Sequence, residues 1–167
     1  MRKQRRLKLY YISNDYIDYL RKFDDKVRFN KNHSRPYVGI VYTYNNNNYF
    51  APLSSPKPKY QKMKKTAIDI WLIDEGKLGV INFNNMIPCP IEELTELLST
   101  VKEEKYKKLL ENQISSINKD RELILKKITR FHQQYNKKIL YENVLLRCCN
   151  FRLLEIKCME YINLVVN

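Results

Sequence analysis

The hydrophobic pattern of this chain changes its period at Pro88 and Pro90. Before these prolines, apolar residues fall in short runs rich in β-branched and aromatic side chains, and after them they recur at helical spacing. The predicted strands cover residues 7–12, 37–44, 49–53, 67–73 and 77–83. The predicted helices cover residues 14–24, with Asn14 as N-cap, and residues 94–98, 106–135, 140–147 and 151–161. We therefore predict an α+β fold, a small bent antiparallel sheet of about five strands with an added C-terminal helical half.

The segment that follows the predicted strand at residues 49–53 concentrates hydroxyl and ammonium groups. Ser54 and Ser55 are adjacent, and Lys57 and Lys59 each follow a proline. We call residues 54–59 the serine-lysine loop. Because its prolines favour extended conformations, the loop is predicted to stay non-helical and to present its side chains outward. Such a loop is suited to binding a phosphate, although a basic surface turn is the alternative.

A second basic segment, residues 26–36, leads into the strand predicted at residues 37–44. It carries Arg28, Lys31, His33 and Arg35. The tract of four asparagines at residues 45–48 predicts a hairpin turn between this strand and the next. In an antiparallel hairpin, the start of the first strand lies beside the end of the second. We therefore expect Lys31 and Arg35 to face the serine-lysine loop across a shared groove.

The charge of the chain predicts a polyanionic partner. Its 31 Lys and Arg residues against 18 Asp and Glu residues give a net charge of +13, and 13 tyrosines offer surfaces on which unpaired bases can stack. An anionic membrane is the competing partner, but no apolar run has the length of a spanning helix, and the apolar segment after the basic residues 1–8 is too short for a signal peptide. We therefore expect a soluble, cytoplasmic protein with no membrane partner. With only three glycines and no linker, residues 1–167 are predicted to form one domain.

Several catalytic classes fit the sequence poorly. A two-metal nuclease needs clustered carboxylates, whereas Asp69, Asp74 and Glu75 are expected away from the basic loops. A serine hydrolase needs a nucleophile elbow, but the adjacent serines stand in L-S-S-P. There is no glycine-rich phosphate loop. The four cysteines form no C-x-x-C pair and are expected to be reduced and buried. We predict neither a metal nor a cofactor.

Cations and hydroxyls are sufficient to cleave RNA, because the ribose 2′-hydroxyl can itself attack the adjacent phosphate. Lys57 is the leading candidate for the central role, since Lys59 and Arg35 disfavour the charged form of its ammonium group. The two serines would hold phosphate oxygens or the attacking hydroxyl. His33 could act as acid or base, and an exposed polar residue is the alternative.

Three ordered strings resemble the ToxN/AbiQ family of type III toxin-antitoxin endoribonucleases. They are R-P-Y-V-G-I-V (residues 35–41), Y-F-A-P-L-S-S-P-K-P-K (residues 49–59) and G-V-I-N-F-N-N-M-I-P (residues 79–88). The resemblance implies a bent antiparallel sheet akin to the Kid/MazF toxins. It also implies metal-independent, sequence-selective cleavage of cellular and antitoxin-precursor RNA that leaves a 2′,3′-cyclic phosphate and a 5′-hydroxyl. The implied partner is a small pseudoknot RNA antitoxin, which closes with the protein into a ring and serves abortive infection.

Carried over by position, the resemblance places the catalytic residues on Ser54, Ser55, Lys57 and Arg35. Tyr60 stands where relatives often have histidine. The predicted RNA-binding residues are Lys31, His33, Lys59, Tyr60, Lys62, Lys64, Asn84 and Asn85. For the two asparagines, turn or capping hydrogen bonds are the alternative role.

Two other functions stay open at the level of sequence. A non-catalytic RNA-binding regulator would use the serine-lysine loop only to grip phosphate. A DNA-binding regulator would use the charged helix that begins near Lys102.

Overall fold

A computed structural model describes residues 5–31 and 35–167 and has the predicted α+β fold. Its strands are β1 (Lys8–Ile12), β2 (Tyr37–Tyr44), β3 (Asn47–Ser54), β4 (Ile70–Leu72), β5 (Val80–Asn82), β6 (Ile87–Pro88) and β7 (Leu94–Glu96). Within these residues they form one open antiparallel sheet in the order β4-β5-β3-β2-β1-β7, and β6 pairs with β3 outside this path.

The predicted hairpin of β2 and β3 is confirmed and forms the centre of the sheet. Asn45 and Asn46 make its turn with φ of 49° and 62°, a left-handed conformation that asparagine tolerates. One edge of β3 pairs with β2, and the other edge is shared by β6 and β5. The last residue of β3, Ser54, pairs with Val80 of β5. Pairing with β5 therefore fixes the position of the end of β3.

The sheet is larger than the predicted five strands, because β6 and β7 were not recognised. Residues 94–98 were predicted as a helix, and this was wrong. A short 3₁₀ turn at Ile91–Glu93 leads into β7, which pairs with the outer edge of β1. The backbone N–H of Leu97 also donates to the carbonyl oxygen of Leu9, at 3.0 Å. Because β1 would otherwise expose unpaired backbone groups on this edge, the pairing outweighs the helical spacing of the leucines.

The helices are α1 (Asn14–Arg21), α2 (Pro58–Gln61), α3 (Glu104–Lys119), α4 (Arg121–Asn136), α5 (Glu142–Leu145) and α6 (Phe151–Val166). The single long helix predicted for residues 106–135 is wrong, since it breaks at Asp120. The two halves pack against different elements, α3 against β1 and α4 against β2. The N-cap of α1 is Ser13 rather than Asn14, because the Ser13 hydroxyl accepts from the backbone N–H of Tyr16 at 3.2 Å.

The serine-lysine loop also departs from its prediction. It becomes helical at Pro58, the first residue of α2. Proline is well tolerated at a first helical position, because its missing N–H would have no partner there. The extended conformation predicted for the loop is kept only as far as Lys57, whose φ and ψ are −143° and 143°.

The core lies between the sheet and the helices. Phe83, Phe131 and Phe151 are fully buried there, with ring centroids 6.2 to 6.3 Å apart along the row. All four cysteines are buried and free, as predicted. In the part of the chain that the structure describes, no helix is both long enough and apolar enough to cross a membrane.

Candidate active site

A groove of about 420 Å³ opens where β2 begins and β3 ends. The backbone N–H of Leu53 donates to the carbonyl oxygen of Pro36 at 2.9 Å, which holds the loop before β2 beside the serine-lysine loop. The predicted shared groove is therefore present. The described residues that line it are Arg28, Lys31, Arg35, Pro36, Leu53, Ser54, Ser55, Lys57, Lys59, Tyr60 and Tyr106.

Ser54 is positioned by β5 and by the turn that precedes it. The Asn82 side-chain amide donates to the Ser54 hydroxyl oxygen at 3.0 Å and to the Pro52 carbonyl oxygen at 3.3 Å. Gly79 has a φ of +98°, and a Cβ atom on it would lie 2.1 Å from the carbonyl oxygen of Ser54. Only glycine lets these two backbone segments approach so closely. The hydroxyl of Ser54 thus has a defined place at the edge of the groove.

Ser55 and Lys57 lie beyond the sheet and are exposed. Pro56 separates them, and the extended backbone of Lys57 meets the start of α2. The Lys57 carbonyl oxygen accepts from the backbone N–H of Tyr60 at 3.0 Å. The lysine is therefore anchored through its backbone, while its side chain lines the groove.

Arg35 and Arg28 form the opposite wall. The Nε atom of Arg35 donates to the Phe29 carbonyl oxygen at 2.9 Å, and that of Arg28 donates to Asn85 Oδ1 at 3.0 Å. Burial lowers the pKa of Arg35 from its usual value, and the charge of Arg28 lowers it further. Each guanidinium is oriented by its Nε bond, so that both charges are held in place at the groove.

Two tyrosines complete the lining. Tyr60 is buried on α2, and the Nζ atom of Lys59 lies 5.2 Å from its ring centroid, within range of a cation–π contact. Tyr106 comes from the first turn of α3, and burial raises the pKa of its phenol. The phenol of Tyr106 thus stays neutral at physiological pH.

The chemistry of the described lining is uniform. It comprises five cationic side chains and two serine hydroxyls, and it contains neither a carboxylate nor an imidazole. Such a set can bind a phosphodiester through charge-assisted hydrogen bonds and can stabilise additional negative charge on the phosphate oxygens.

Seven of the predicted site residues meet in the groove. These are Lys31, Arg35, Ser54, Ser55, Lys57, Lys59 and Tyr60. Their roles stay predictions. His33, also predicted to bind RNA, lies outside the described residues.

The remaining predicted RNA-binding residues do not line the groove. Lys62 is exposed at the end of α2, and Lys64 lines a separate depression near β4. Asn84 and Asn85 are buried and line a neighbouring depression that shares both arginines with the groove. The side-chain amide of Asn85 also donates to the Lys26 carbonyl oxygen at 3.0 Å. This is a hydrogen bond of the kind expected for the alternative, structural role of the two asparagines.

Four contributors were missed by sequence reasoning. Arg28 was recognised only as part of a basic loop. Asn82 and Gly79 lie in the string at residues 79–88, but nothing in that string shows that they adjoin the serines. Tyr106 lies some fifty residues along the chain from the serine-lysine loop and carried only a helical-spacing signal.

Comparison with known proteins gives a consistent result. A family model described as "Toxin ToxN, type III toxin-antitoxin system" matches residues 8–159. The protein named endoribonuclease ToxN of Bacillus thuringiensis subsp. kurstaki is 35% identical over 163 residues, which cover 92% of this chain and 84% of that protein.

Solved structures also match over almost the full chain. One is AbiQ, a lactococcal anti-phage endoribonuclease of the type III toxin-antitoxin class, with a TM-score of 0.80, 30% identity, and coverage of 94% of this chain and 98% of the other. Another comes from work on selective toxin inhibition by a non-coding RNA pseudoknot. It has a TM-score of 0.78, 32% identity and the same two coverages, 94% and 98%.

Proposed function

Since this chain belongs to the ToxN/AbiQ family of endoribonuclease toxins of type III toxin-antitoxin systems, we propose that it cleaves RNA in the groove of the serine-lysine loop without a metal ion. The observation that carries this proposal is the described lining of the groove, in which cations and hydroxyls stand without a carboxylate. The groove therefore offers groups that hold and polarise a phosphodiester. Its described lining offers none of the carboxylates that commonly hold a catalytic metal.

The proposed reaction is an internal transfer within the RNA. The ribose 2′-oxygen bonds to the adjacent phosphorus as it loses its proton, and the bond from phosphorus to the 5′-oxygen breaks as that oxygen gains a proton. The products are a 2′,3′-cyclic phosphate and a 5′-hydroxyl. Lys57 takes part in the proton transfers, while Arg35 neutralises the charge that builds on the phosphate. Ser54 and Ser55 donate hydrogen bonds to phosphate oxygens or to the attacking hydroxyl.

The wider groove supports binding of single-stranded RNA. Lys31, Lys59 and Arg28 add positive charge to the walls of the groove, and Tyr60 and Tyr106 supply aromatic surface. Phosphate neutralisation and base stacking are the two terms on which such binding depends. A substrate strand would therefore lie along the groove with the cleaved phosphate at Ser55 and Lys57.

We propose that a small folded RNA is the antitoxin, in line with the pseudoknot RNA inhibition described for a structural neighbour. Its unpaired ends would occupy the groove as products of the same reaction, and its folded part would contact basic helices. We further expect several copies of the protein and the RNA to close into a ring. The mass of the reconstituted complex would give the number of copies. A role in phage defence follows the anti-phage activity of AbiQ.

The test is cleavage of RNA by the pure protein in excess EDTA, with chemical identification of the new ends. We expect cyclic phosphate and 5′-hydroxyl ends at unchanged rate. Abolition of cleavage by EDTA and its restoration by a divalent cation would overturn the metal-independent reaction. Binding of RNA with no cleavage of any RNA would indicate a regulator, and a preference for duplex DNA would indicate a DNA-binding protein.

A matched pair of variants controls this experiment. Lys57→Ala removes the proposed central lysine, whereas Lys22→Ala removes an exposed lysine that follows α1 and does not line the groove. We expect only the first change to stop cleavage, with both variants folded.

A further inference from the structure

A second depression of about 320 Å³ lies at the free edge of β4, between that strand and the helices α3 and α4. Its size falls at the lower end of the range of about 300–1,000 Å³ found for small-ligand pockets. Trp71 and Leu72 of β4 line it together with four lysines and three acidic residues, namely Lys64, Lys65, Lys119, Lys127, Asp74, Glu75 and Asp120. Lys65 is paired with Glu75 at 3.5 Å, whereas Lys64 and Lys119 are exposed. The proposed reaction uses none of these residues.

The indole of Trp71 is held in a fixed position. The Nζ atom of Lys127 donates to the Ile70 carbonyl oxygen at 2.8 Å and lies 5.7 Å from the Trp71 ring centroid. The indole is half-buried and packs against the core. Part of a rigid aromatic ring therefore lines the depression, and a flat ligand can contact it without any rearrangement of the side chain.

The strand edge adds hydrogen-bonding groups. Asp69 and Ile73 direct their backbone groups toward the sheet, where Phe83 N–H donates to Asp69 O at 2.9 Å and Ile73 N–H donates to Gly79 O at 3.0 Å. Because backbone groups alternate along a strand, those of Ile70 and Leu72 point outward. Lys127 occupies the outward carbonyl of Ile70. The Leu72 carbonyl accepts the first bond of the 3₁₀ turn at Ile73–Gly76, so the outward N–H of Leu72 is the backbone group that faces the depression. Such a donor can bond to an acceptor on the edge of a nucleobase.

The depression lies close to the groove along the sheet. Ser54 pairs with Val80, and Val80 pairs in turn with Leu72, so Ser54 and Leu72 stand two strand spacings apart. At just under 5 Å per spacing this is about 10 Å between backbones. A nucleotide next to the cleaved phosphate can cover that distance. The exposed Lys64 lies on the segment that joins α2 to β4, and its side chain lines the depression.

We propose that this depression receives an unpaired base of the RNA strand bound in the groove, and so contributes to the sequence preference of cleavage. The base contacts the indole of Trp71, its edge bonds to the backbone of Leu72, and its phosphate is bound by Lys64 and Lys119. The lining has one more lysine than carboxylates and the chain has a net charge of +13, which favours an anionic ligand. The Trp71 ring and the neighbouring groove favour a nucleic acid over an acidic peptide added to the strand edge. This inference rests on the proposed function only in requiring that RNA binds in the groove.

Trp71 is the single tryptophan of the chain, so its fluorescence reports on this site directly. The experiment titrates the Lys57→Ala protein, which is expected not to cleave, with short random-sequence RNA oligonucleotides. Anisotropy of a label on the RNA measures total binding in parallel. We expect quenching of tryptophan emission that follows the anisotropy change. When Lys119→Ala is added to the Lys57→Ala protein, about five-fold or more RNA should be needed for the same quenching, in keeping with one lost phosphate or base contact. When Lys22→Ala is added instead, the titration should match that of the Lys57→Ala protein.

Binding seen by anisotropy without any change in tryptophan emission would overturn the proposal. So would equal quenching by an acidic peptide of the same charge. If only the proposed function fails, the result differs: RNA quenches the tryptophan emission of the unaltered chain, but the chain does not cleave the RNA. If both proposals hold, sequencing of cleavage ends from a random RNA pool should show weaker preference at one flanking position for Lys119→Ala than for Lys22→Ala.

Discussion

The side-chain amide of Asn82 donates a hydrogen bond to the hydroxyl oxygen of Ser54, with Nδ2 and Oγ 3.0 Å apart. Asn82 is buried on β5, one strand away from Ser54. Because the Ser54 oxygen already accepts this bond, its own proton is directed to another acceptor. In the groove that acceptor would be a phosphate oxygen of the RNA, so Asn82 sets the direction of the serine hydroxyl without touching the substrate.

We expect Asn82→Asp to lower kcat by about ten- to a hundred-fold with little change in KM, since misplacing a reacting or binding group by about 1 Å has an effect of this size. The new carboxylate oxygen cannot donate to Ser54. Cleavage kinetics and thermal unfolding should be measured together, with Asn163→Asp on the exposed part of α6 as the control. A loss of stability with an unchanged kcat would show that Asn82 serves only the fold.

Lys57→Ala and Ser55→Ala should leave the protein folded and harmless when expressed without an antitoxin. Both side chains are exposed, so their loss removes little packing. Loss of a group that transfers protons lowers rates by about 10²- to 10⁴-fold. Growth of cells that express each variant is the measurement, with Lys22→Ala as a toxic control. Full growth arrest by both variants would refute this assignment of the site.

Gly79→Ala should displace the serine-lysine loop. A Cβ atom at this position would lie 2.1 Å from the Ser54 carbonyl oxygen, and the φ of +98° disfavours any side chain. We expect a loss of about 1–3 kcal/mol in the free energy of unfolding. A drop in cleavage is expected even at temperatures where the variant is folded. Lys77→Ala, on the exposed part of the same turn, is the control. Wild-type cleavage by a folded Gly79→Ala protein would contradict the close approach.

The stability of the protein should fall with acid through His132. Burial among aromatic rings, including Tyr42 and Phe151, lowers the pKa of His132 to about 4. In the unfolded chain the pKa of histidine is about 6.5. Between these values the unfolded state binds more protons than the folded state, so the contribution of this group is full above pH 6.5 and decreases as the pH falls toward 4.

Urea unfolding at several pH values between 4 and 7 measures this effect. His132→Gln should show a smaller loss of stability over that range than the unaltered chain. Equal pH dependence of the two proteins would exclude His132 as its cause.

Lys59 should contribute to RNA affinity mainly through its charge. We expect Lys59→Ala to reduce the slope of log affinity against log salt by about 0.7, the value for one phosphate contact on a single strand. Lys59→Arg should keep the slope. The ligand is an RNA with 2′-O-methyl groups, which has no free 2′-hydroxyl to attack its own phosphate. An unchanged slope for Lys59→Ala would place the Lys59 ammonium away from the RNA backbone.

Local patterns were enough for the elements that carry the catalytic proposal. The β-branched and aromatic residues of β2 and the asparagines at its turn predict the hairpin, and antiparallel pairing alone predicts that Arg35 and Ser54 share a groove. Both features depend on contacts between residues near in sequence. The order of the remaining strands was not available from such patterns.

Where two elements compete for the same residues, local pattern failed. The leucines at residues 94–98 suit a helix equally well, and only the unpaired edge of β1 explains why this segment begins with the strand β7. The residues around Asp120 continue a helical period, yet α3 and α4 separate because they pack on different strands. In each case the deciding partner lies far away along the chain.

The sequence by itself determined the α+β class, the hairpin, and the concentration of serines and lysines at the end of β3, because these follow from side-chain chemistry and short-range spacing. Only the tertiary structure decided that Asn82 orients Ser54, that Tyr106 lines the groove, and that Trp71 lies at a strand edge nearby. Hydrogen bonds and van der Waals contacts act over a few ångströms in space, whatever the distance along the chain. Such neighbours therefore become visible only once the sheet and helices are packed.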